Sequence, residues 1–461
     1  SVHGYTENDK ESAFEAITAG IDMEMVSQTY FSHGKTLLDE KRISVDTIDK
    51  MVENILILKD ELGLFNAPYT QPSSFPEPAN FQHLSLAQEV ATKSCVLLKN
   101  NQILPLSAGD LSSIAVIGPL ADDGYEQLGT WVFDGEEQHS ITVLSAMKQY
   151  VGNDVNIRYA PGLKNSRAVT TDEFDHAINI AKESDRVVMV LGEEAILSGE
   201  AHCRTNIDLP GYQEKLINEI AKTSTPIILV VMAGRPITLE NIINKVEAIL
   251  FAWHPGSMAG PAITSLLFGE QVPSGKLPVT FPRNVGQIPL YYAQKNTGKP
   301  ATNTPFIHMN DIPDRAPQTS LGMTAAYLDS HFLPLYPFGF GLSYSTFSYK
   351  NLVLSNSTIT NSDTLEVVVE VANTGEFDAD EIIQLYIRDL VGSVTRPIKE
   401  LKKFKRIHLV KGQCKRITFN LTTEDLAFYD RKMCLTTEPG KFHIWVGGSS
   451  DATLQGEFEL V

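Results

Sequence analysis

The sequence predicts a multidomain α/β chain that ends in a small β-sandwich. Two observations carry this prediction. Between Leu84 and Pro282, short apolar runs typical of buried strands alternate with helix-like segments, which indicates βαβ units and a mostly parallel sheet. In residues 350–461, short alternating apolar runs are separated by turn signals, which is typical of an antiparallel sandwich.

The chain begins with a helical zone that is too small to hold an evident core of its own. Ser44 is a good N-cap for a helix over Val45–Leu62, where apolar residues keep a helical spacing, and Gly63 supplies the stop. The short apolar piece Gly20–Met25 lies between helix patterns. A proline-rich stretch, Tyr69–Pro78, follows this zone. We therefore interpret the zone as the end of something larger.

The middle zone contains five apolar, β-branched runs that we predict to be strands: Ile114–Ile117, Val155–Tyr159, Val187–Leu191, Ile227–Met232 and Ala248–Phe251. The next segment, Gln271–Tyr349, is rich in Pro, Gly and aromatic residues and shows little periodicity. We expect it to be an extended connection that wraps the α/β domain. Strand-like runs in the last zone are predicted at Leu365–Val371, Ile382–Ile387, Lys415–Leu421 and Lys441–Val446.

Composition excludes two classes of function. The chain has 461 residues and a formal net charge of −18, whereas binding to a phosphate backbone depends on clustered Lys and Arg. Nucleic acid is therefore not expected as a partner. No run of about 18 apolar residues occurs, so no membrane span is expected, and no signal peptide pattern is visible at the N-terminus.

Motifs for metals, disulfides and nucleotides are missing or incomplete. The four cysteines are too scattered for a disulfide framework or a zinc site, so no metal is expected. Cys414 and Cys434 could pair, but buried free thiols are the favoured interpretation. Gly269–Lys276 resembles a P-loop, yet its glycine spacing is wrong and Leu277 replaces the Ser or Thr that binds magnesium. No cofactor is expected.

The loop Gly192–Pro210, which reads GEEAILSGEAHCRTNIDLP, is the most informative stretch of the chain. It follows a predicted buried strand, and ligands of open α/β sheets bind outside the carboxyl ends of strands. Its polar residues have no helical or strand period: Glu193, Glu194, Glu200, His202, Arg204 and Asp208. One of these carboxylates is a candidate catalytic acid, and the alternative is a solvated connection.

Six segments together resemble family 3 glycoside hydrolases, especially the periplasmic-type bacterial β-glucosidases. They occur in the order expected for that family and extend over nearly the whole chain: Ala19–Met25, Leu62–Tyr69, Cys95–Asn100, Pro273–Pro282, Val285–Pro289 and Leu335–Tyr344. The resemblance implies no cofactor. It also implies that the protein is periplasmic or secreted.

The resemblance implies a particular division of the chain. Residues 1–66 would be the C-terminal end of a (β/α)8-type barrel, with a late barrel strand around Ile21. Residues 67–83 would be a linker, 84–282 an α/β sandwich, 283–349 the wrapping connection and 350–461 a fibronectin-III-like β-sandwich. Most of the catalytic barrel would then precede residue 1.

The resemblance also implies catalytic roles. In this branch of the family the acid/base glutamate lies eight residues after a strand-ending glycine, and the spacing from Gly192 assigns it to Glu200. A general acid near neutral pH needs a pKa raised by partial burial or by a neighbouring carboxylate. Arg204 would orient this acid or pair with Asp208, and His202 would donate to substrate or simply be exposed. Glu193 and Glu194 are the weaker candidates.

The nucleophile is not matched by any residue of this chain. In the family it is an aspartate in a Ser-Asp motif, which would lie about ten residues before the position matched by His3. Asp9 and Asp22 are therefore not assigned to this role. Retaining hydrolysis needs both carboxylates, so we expect the chain to need the upstream barrel segment for activity.

Two hypotheses about function follow. In the first, the chain is the C-terminal part of a retaining, exo-acting β-glucosidase whose partner is a β-glucoside or a β-linked gluco-oligosaccharide, with β-xylosides as the alternative substrate. In the second, it is a non-catalytic accessory or relic chain for glycan binding or assembly. A homodimer is left open. Trp131 and Trp253 could stack on sugar rings, although large aromatic residues more often serve a core.

Overall fold

The computed structural model describes residues 2–77, 79–301 and 306–461. These residues form two compact units, Ser1–Asn80 and Phe81–Val461. The first unit contains three helices: α1 (Asp9–Thr18), α2 (Thr29–Asp39) and α3 (Val45–Glu61). Its small core consists of Ala13, Ile17, Leu37 and Ile43.

Helix α3 begins where the sequence predicts and ends one residue earlier than predicted. The Ser44 side chain accepts a hydrogen bond from the Thr47 amide at 3.1 Å, which satisfies one of the free amides at the helix start. Gly63 follows the helix with φ of +70°, a left-handed conformation that glycine adopts without strain. The predicted helix is therefore confirmed, with its last residue one position earlier.

The strand that the resemblance implies around Ile21 is not found. Residues 21–24 have no regular structure, and no strand occurs in the first unit within its described residues, 2–77, 79 and 80. A strand is defined by hydrogen bonds to a neighbouring strand, and this part of the chain offers none. The prediction for Ile21 is therefore wrong for this chain.

The second unit begins with a six-stranded sheet. Its strands are β1 (Val96–Asn100), β2 (Ser113–Ile117), β3 (Asn156–Ala160), β4 (Arg186–Gly192), β5 (Ile227–Met232) and β6 (Ala248–Phe251). The order across the sheet is β1-β6-β5-β4-β2-β3, and only β1 pairs antiparallel to its neighbour. All five predicted strands are confirmed within one residue at each end, and β1 is an additional strand.

Helices cover both faces of this sheet. They are α4 (Phe81–Ser94), α5 (Val143–Val151), α6 (Phe174–Lys182), α7 (Gln213–Ala221) and α8 (Ala259–Leu267). Alternate residues of one strand belong to two separate cores: Val187 and Met189 to one, Val188 and Val190 to the other. Burial on both faces explains why these strands read as continuous apolar runs.

The connection after the sheet lies in extended form on both neighbouring domains. Phe281 pairs with Tyr336 in an isolated bridge, and Leu97 of β1 pairs with Leu342. Farther along, the Ile398 amide donates to the Gln294 carbonyl at 2.8 Å, which ties the connection to the C-terminal sandwich. These contacts hold a segment that has little secondary structure of its own.

The chain ends in a mostly antiparallel β-sandwich with one short helix, α9 (Thr423–Leu426). Its strands are β7 (Phe347–Leu354), β8 (Thr358–Ile359), β9 (Leu365–Asn373), β10 (Ala379–Asp389), β11 (Glu400–Leu409), β12 (Cys414–Leu421), β13 (Phe428–Tyr429), β14 (Leu435–Thr436), β15 (Gly440–Gly447) and β16 (Leu454–Leu460). Sheets β11-β10-β15-β16-β8 and β12-β9-β7 enclose one apolar core, and β13 pairs with β14. Among the described strands, only β8 pairs parallel to its neighbour. The predicted sandwich is confirmed.

The burial of the cysteines differs from the prediction at Cys414 and Cys434. Cys95 is buried, but Cys203, Cys414 and Cys434 are exposed, and all four are free. The prediction of buried thiols at Cys414 and Cys434 is therefore wrong. Cys414 begins an edge strand and Cys434 lies in a loop, so neither side chain enters the sandwich core.

Candidate active site at the carboxyl edge of the sheet

Strands β2, β4, β5 and β6 are parallel, so their carboxyl ends meet at one edge of the sheet. Gly192, the last residue of β4, has a φ of +140°. A Cβ atom at this position would lie 1.7 Å from the Met232 carbonyl oxygen, so only glycine fits against β5. This close approach delivers Glu193 and Glu194 directly to the edge.

Glu193 is fully buried and held by two arginines. Its side chain has 0 % exposure, and Oε1 lies 2.5 Å from Arg204 Nη1 and 3.1 Å from Arg235 Nε. A buried carboxylate is tolerated when it is paired and hydrogen-bonded in this way. Its contacts and burial identify Glu193 as a structural anchor of the loop, without access to solvent.

Glu194 is bound as firmly by a different pair of residues. Ser166 Oγ donates to Oε2 at 2.5 Å, while Arg167 donates from Nε at 2.9 Å and from Nη2 at 3.0 Å. Burial alone would raise the pKa of Glu194, but the hydrogen bonds from Arg167 and Ser166 outweigh it and lower the pKa. Glu194 is therefore held in its ionised form near neutral pH.

Glu200 has a different environment. It lies in an exposed turn between Gly199, with φ of +113°, and Ala201, with φ of +64°. A Cβ atom on Gly199 would lie 2.8 Å from Thr130 Oγ1, so this glycine lets the turn pack against the loop that follows β2. Among the described residues, no hydrogen bond or ion pair engages the Glu200 carboxylate. Of the three candidates, it is the one that is exposed.

The two predicted supporting residues, His202 and Arg204, both follow the exposed turn in the chain. Arg204 binds Glu193, and its Nη2 donates to the Asp208 backbone carbonyl at 2.8 Å, so its contact with Asp208 is not a pairing of side chains. His202 is exposed, and its backbone carbonyl accepts from Arg235 Nη2 at 2.9 Å. Within the described residues, neither side chain forms a hydrogen bond or an ion pair with Glu200.

Sequence reasoning missed three residues at this edge. Arg235 follows β5, His254 follows β6, and Glu126 lies in the loop after β2, so their positions past strand ends were the available signal. The Ala195 amide donates to Glu126 Oε2 at 2.6 Å, and burial raises the pKa of Glu126 despite that bond. Burial lowers the pKa of His254, which favours the neutral imidazole.

The two tryptophans near the site differ in exposure. Trp131 directly follows Thr130 and is largely exposed. Trp253 instead packs against the sheet core, with its ring centroid 4.8 Å from that of Phe251. Trp131 therefore presents an apolar ring to solvent on the loop that packs against the Glu200 turn, whereas Trp253 serves the core.

The described residues contain neither a candidate metal-binding cluster nor a helix able to span a membrane. In residues 2–77, 79–301 and 306–461, no group of three or more His, Cys, Asp or Glu side chains could hold a metal ion. Within the same ranges, no helix combines the length and apolar character that crossing a membrane requires.

Relatives of the chain are named as β-glucosidases and β-xylosidases. A periplasmic β-glucosidase from Salmonella typhimurium is 37% identical and matches 100% of this chain and 61% of its own length. A β-xylosidase from Formosa agariphila is 36% identical over 98% of this chain and 61% of its own length. The chain thus spans about 61% of these curated relatives.

A solved structure supports the same relationship. The β-glucosidase from Listeria innocua, crystallised with isofagomine, superposes with a TM-score of 0.89 at 32% identity, over 100% of this chain and 62% of that one. The fibronectin type III-like domain model matches residues 381–450. The glycosyl hydrolase family 3 C-terminal domain model matches residues 95–344, more than half of the chain. The chain belongs to glycosyl hydrolase family 3.

Proposed function

We propose that this chain supplies the acid/base half of a retaining, exo-acting β-glucosidase that removes terminal β-linked glucose. The observation that carries the proposal is the contrast among the three carboxylates of the loop after β4. Arginines hold Glu193 and Glu194, whereas Glu200 lies in an exposed turn with its carboxylate unengaged. A group that must reach a leaving oxygen has to be accessible.

Glu200 would act twice in each turnover. It first protonates the oxygen of the departing group while a second carboxylate attacks the anomeric carbon. It then removes a proton from the water that hydrolyses the glycosyl-enzyme. In retaining hydrolases the two carboxyl groups lie about 5 to 5.5 Å apart, so the nucleophile must come from a segment that closes over the Glu200 turn.

We assign that nucleophile to a barrel segment upstream of residue 1. Two features support the assignment: the chain spans about 61% of its curated relatives, and α3 in the first unit has no buried residue. Several apolar side chains of α3 and its C-cap are exposed, namely Val45, Val52, Leu56, Ile57, Leu58 and Leu62. An amphipathic helix normally buries its apolar stripe, which a barrel would cover. Closure of that barrel would also supply the partial burial that Glu200 needs as an acid.

Substrate and location rest on the relatives. Glucose is the proposed glycone because relatives from Salmonella and Listeria are named β-glucosidases, and β-xylosides are the alternative because the Formosa relative is named a β-xylosidase. The Salmonella relative is named as periplasmic, and we propose a periplasmic or secreted location for this protein.

The proposal is tested by assaying residues 1–461 alone and joined to the upstream barrel encoded before them. An aryl β-glucoside and an aryl β-xyloside are the substrates. The chain alone should turn over neither, because a retaining hydrolase without its nucleophile cannot form the glycosyl-enzyme. The joined protein should hydrolyse the glucoside. Turnover by the chain alone would contradict the proposal that the nucleophile lies in an upstream segment. A folded, inactive joined protein would favour the accessory role.

A further inference from the structure

Arg235 connects the two ends of the turn that carries Glu200. A single nitrogen, Arg235 Nη2, donates to the Leu197 carbonyl and, at 2.9 Å, to the His202 carbonyl. Only residues 198–201 lie between these two carbonyls. One guanidinium group therefore closes a four-residue turn around Glu200.

The guanidinium is itself fixed by the buried carboxylate. Arg235 Nε lies 3.1 Å from Glu193 Oε1, and Arg204 binds the same oxygen at 2.5 Å. Arg204 then reaches the Asp208 carbonyl, beyond the turn. Because Glu193 is fully buried, its charge keeps both arginines directed inward, where their remaining donors meet loop carbonyls.

The turn also rests on the backbone beside Arg235. A Cβ atom on Gly234 would lie 2.4 Å from Ser198 Oγ, so the absence of a side chain at residue 234 sets how closely the turn approaches β5. Gly199 and Ala201, on the two sides of Glu200, both have positive φ values. An alanine in that region is strained and persists when surrounding contacts impose the conformation.

We propose that Arg235 is a positioning residue that holds the Glu200 turn in the geometry required for proton transfer to the leaving group. This inference rests on the proposed role of Glu200 as acid/base. Arginine suits the task because its planar fork directs several donors at once, here to a carboxylate and two carbonyls. A lysine keeps the charge but does not match three acceptors in fixed directions.

The test uses Arg235→Lys in the protein joined to its barrel. The measured quantity is the ratio of kcat for an aryl glucoside with a good leaving group to kcat for an unactivated disaccharide. Small misplacements of a catalytic group cost up to about 10²-fold, so we expect the disaccharide rate to fall about 10-fold or more. The activated substrate, which needs little proton assistance, should change much less, and KM should change little.

A matched control is Arg283→Lys. Arg283 also binds a glutamate, with Nη1 2.8 Å from Glu240 Oε2, and a backbone carbonyl, that of Leu333, through Nε at 3.1 Å. Its hydrogen bonds and its ion pair in the described part of the chain go to Glu240, Gln287 and Leu333, and none goes to the Glu200 turn. Its replacement should leave the ratio unchanged. If Arg235→Lys slows both substrates equally, or changes the ratio no more than Arg283→Lys does, Arg235 is only structural and the inference is overturned.

Glu200→Ala and the double variant separate this inference from the proposed function. If Arg235 acts through Glu200, adding Arg235→Lys to Glu200→Ala should not raise the ratio further. A normal ratio in Glu200→Ala would overturn the proposed function and the inference with it. If the ratio is raised in Glu200→Ala but normal in Arg235→Lys, the proposed role of Glu200 stands and the inference about Arg235 is overturned.

A second variant decides the matter if Arg235→Lys does not fold. Gly234→Ala keeps Glu193, Arg204 and Arg235. The added methyl group would collide with Ser198, the first residue of the turn. It should raise the same ratio while circular dichroism and the unfolding midpoint stay close to those of the parent. A folded Gly234→Ala protein with the parent ratio would contradict the claim that the geometry of this turn controls proton transfer.

Discussion

The two compact units differ in how completely they cover their apolar side chains. In Phe81–Val461, every residue of β2 and β5 is buried. Among the described residues of the first unit, α3 has no buried residue, and the buried core consists of four side chains. We therefore expect the second unit to fold by itself, and we expect the small core of the first unit to be insufficient for independent folding.

The largest effect should appear when the chain is divided after Asn80. Residues 81–461 should keep a cooperative thermal transition, because their cores are complete. Residues 1–80 should show no cooperative transition, since so small a core does not offset the conformational entropy of folding. Circular dichroism during heating measures both. A sharp transition in the isolated 1–80 fragment would remove the contrast between the units.

The next largest effect should come from Glu193→Gln. This change removes the buried counter-charge of two partly buried arginines, Arg204 and Arg235, and breaking a buried ion pair typically costs about 3 to 5 kcal/mol in the free energy of unfolding. Urea denaturation of residues 1–461 gives the value. Glu11→Gln in the first unit is the control, because Glu11 and Arg42 form an ion pair that remains in contact with water. Similar losses at both sites would contradict the difference in burial.

Leu58→Ala tests whether the barrel covers the exposed apolar side chains of α3. In the chain alone the free energy of unfolding should hardly change, because the Leu58 side chain is 57% exposed. In the protein joined to its barrel, the same change should cost about 2 kcal/mol if the barrel buries this residue. Leu98→Ala, at a position that is 2% exposed, should be costly in both forms. If Leu58→Ala leaves the free energy of unfolding of the joined protein unchanged, the barrel does not bury Leu58.

The smallest effect concerns pH in the first unit. Burial would raise the pKa of Glu24, but hydrogen bonds from Ser27, Thr29 and Tyr30 lower it to about 2. A carboxyl group whose pKa is lower in the folded protein than in the unfolded chain stabilises the fold at pH values above its unfolded pKa, about 4.3 for glutamate. This stabilisation is lost as the pH falls from there towards 2. The amide shifts of Thr29 and Tyr30 should titrate with a midpoint near the lower value. A midpoint at the unfolded value, or titration that persists in Glu24→Gln, would contradict this.

Much of the fold could be predicted because its signals are local. The runs at Ile227–Met232 and Ala248–Phe251 are uniformly apolar, since both faces of the sheet are covered, and their bounds match the observed strands. The start of α3 could also be predicted locally, because Ser44 caps the helix three residues before the amide that it accepts from. In contrast, β1 was missed, because Val96–Asn100 is short and ends in two polar residues.

The candidate site was only partly predictable, because its decisive contacts join distant residues. The loop after β4 was located from the strand that precedes it. Which carboxylate is buried depends on Arg235, which lies 42 positions from Glu193 in sequence. The same applies to Arg167, 27 positions from Glu194. Neither partner could be read from periodicity or local spacing.

Azide added to the Glu200→Ala variant of the joined enzyme tests whether Glu200 is the acid/base. The rate on a poor leaving group should fall about 10²-fold or more, because protonation of the departing oxygen is lost. With an activated aryl glucoside, azide should accelerate turnover and yield β-glucosyl azide, because azide attacks the glycosyl-enzyme without a general base. Glu193→Ala and Glu194→Ala should lack this combination. A normal disaccharide rate in Glu200→Ala, together with azide rescue in Glu193→Ala, would contradict the assignment.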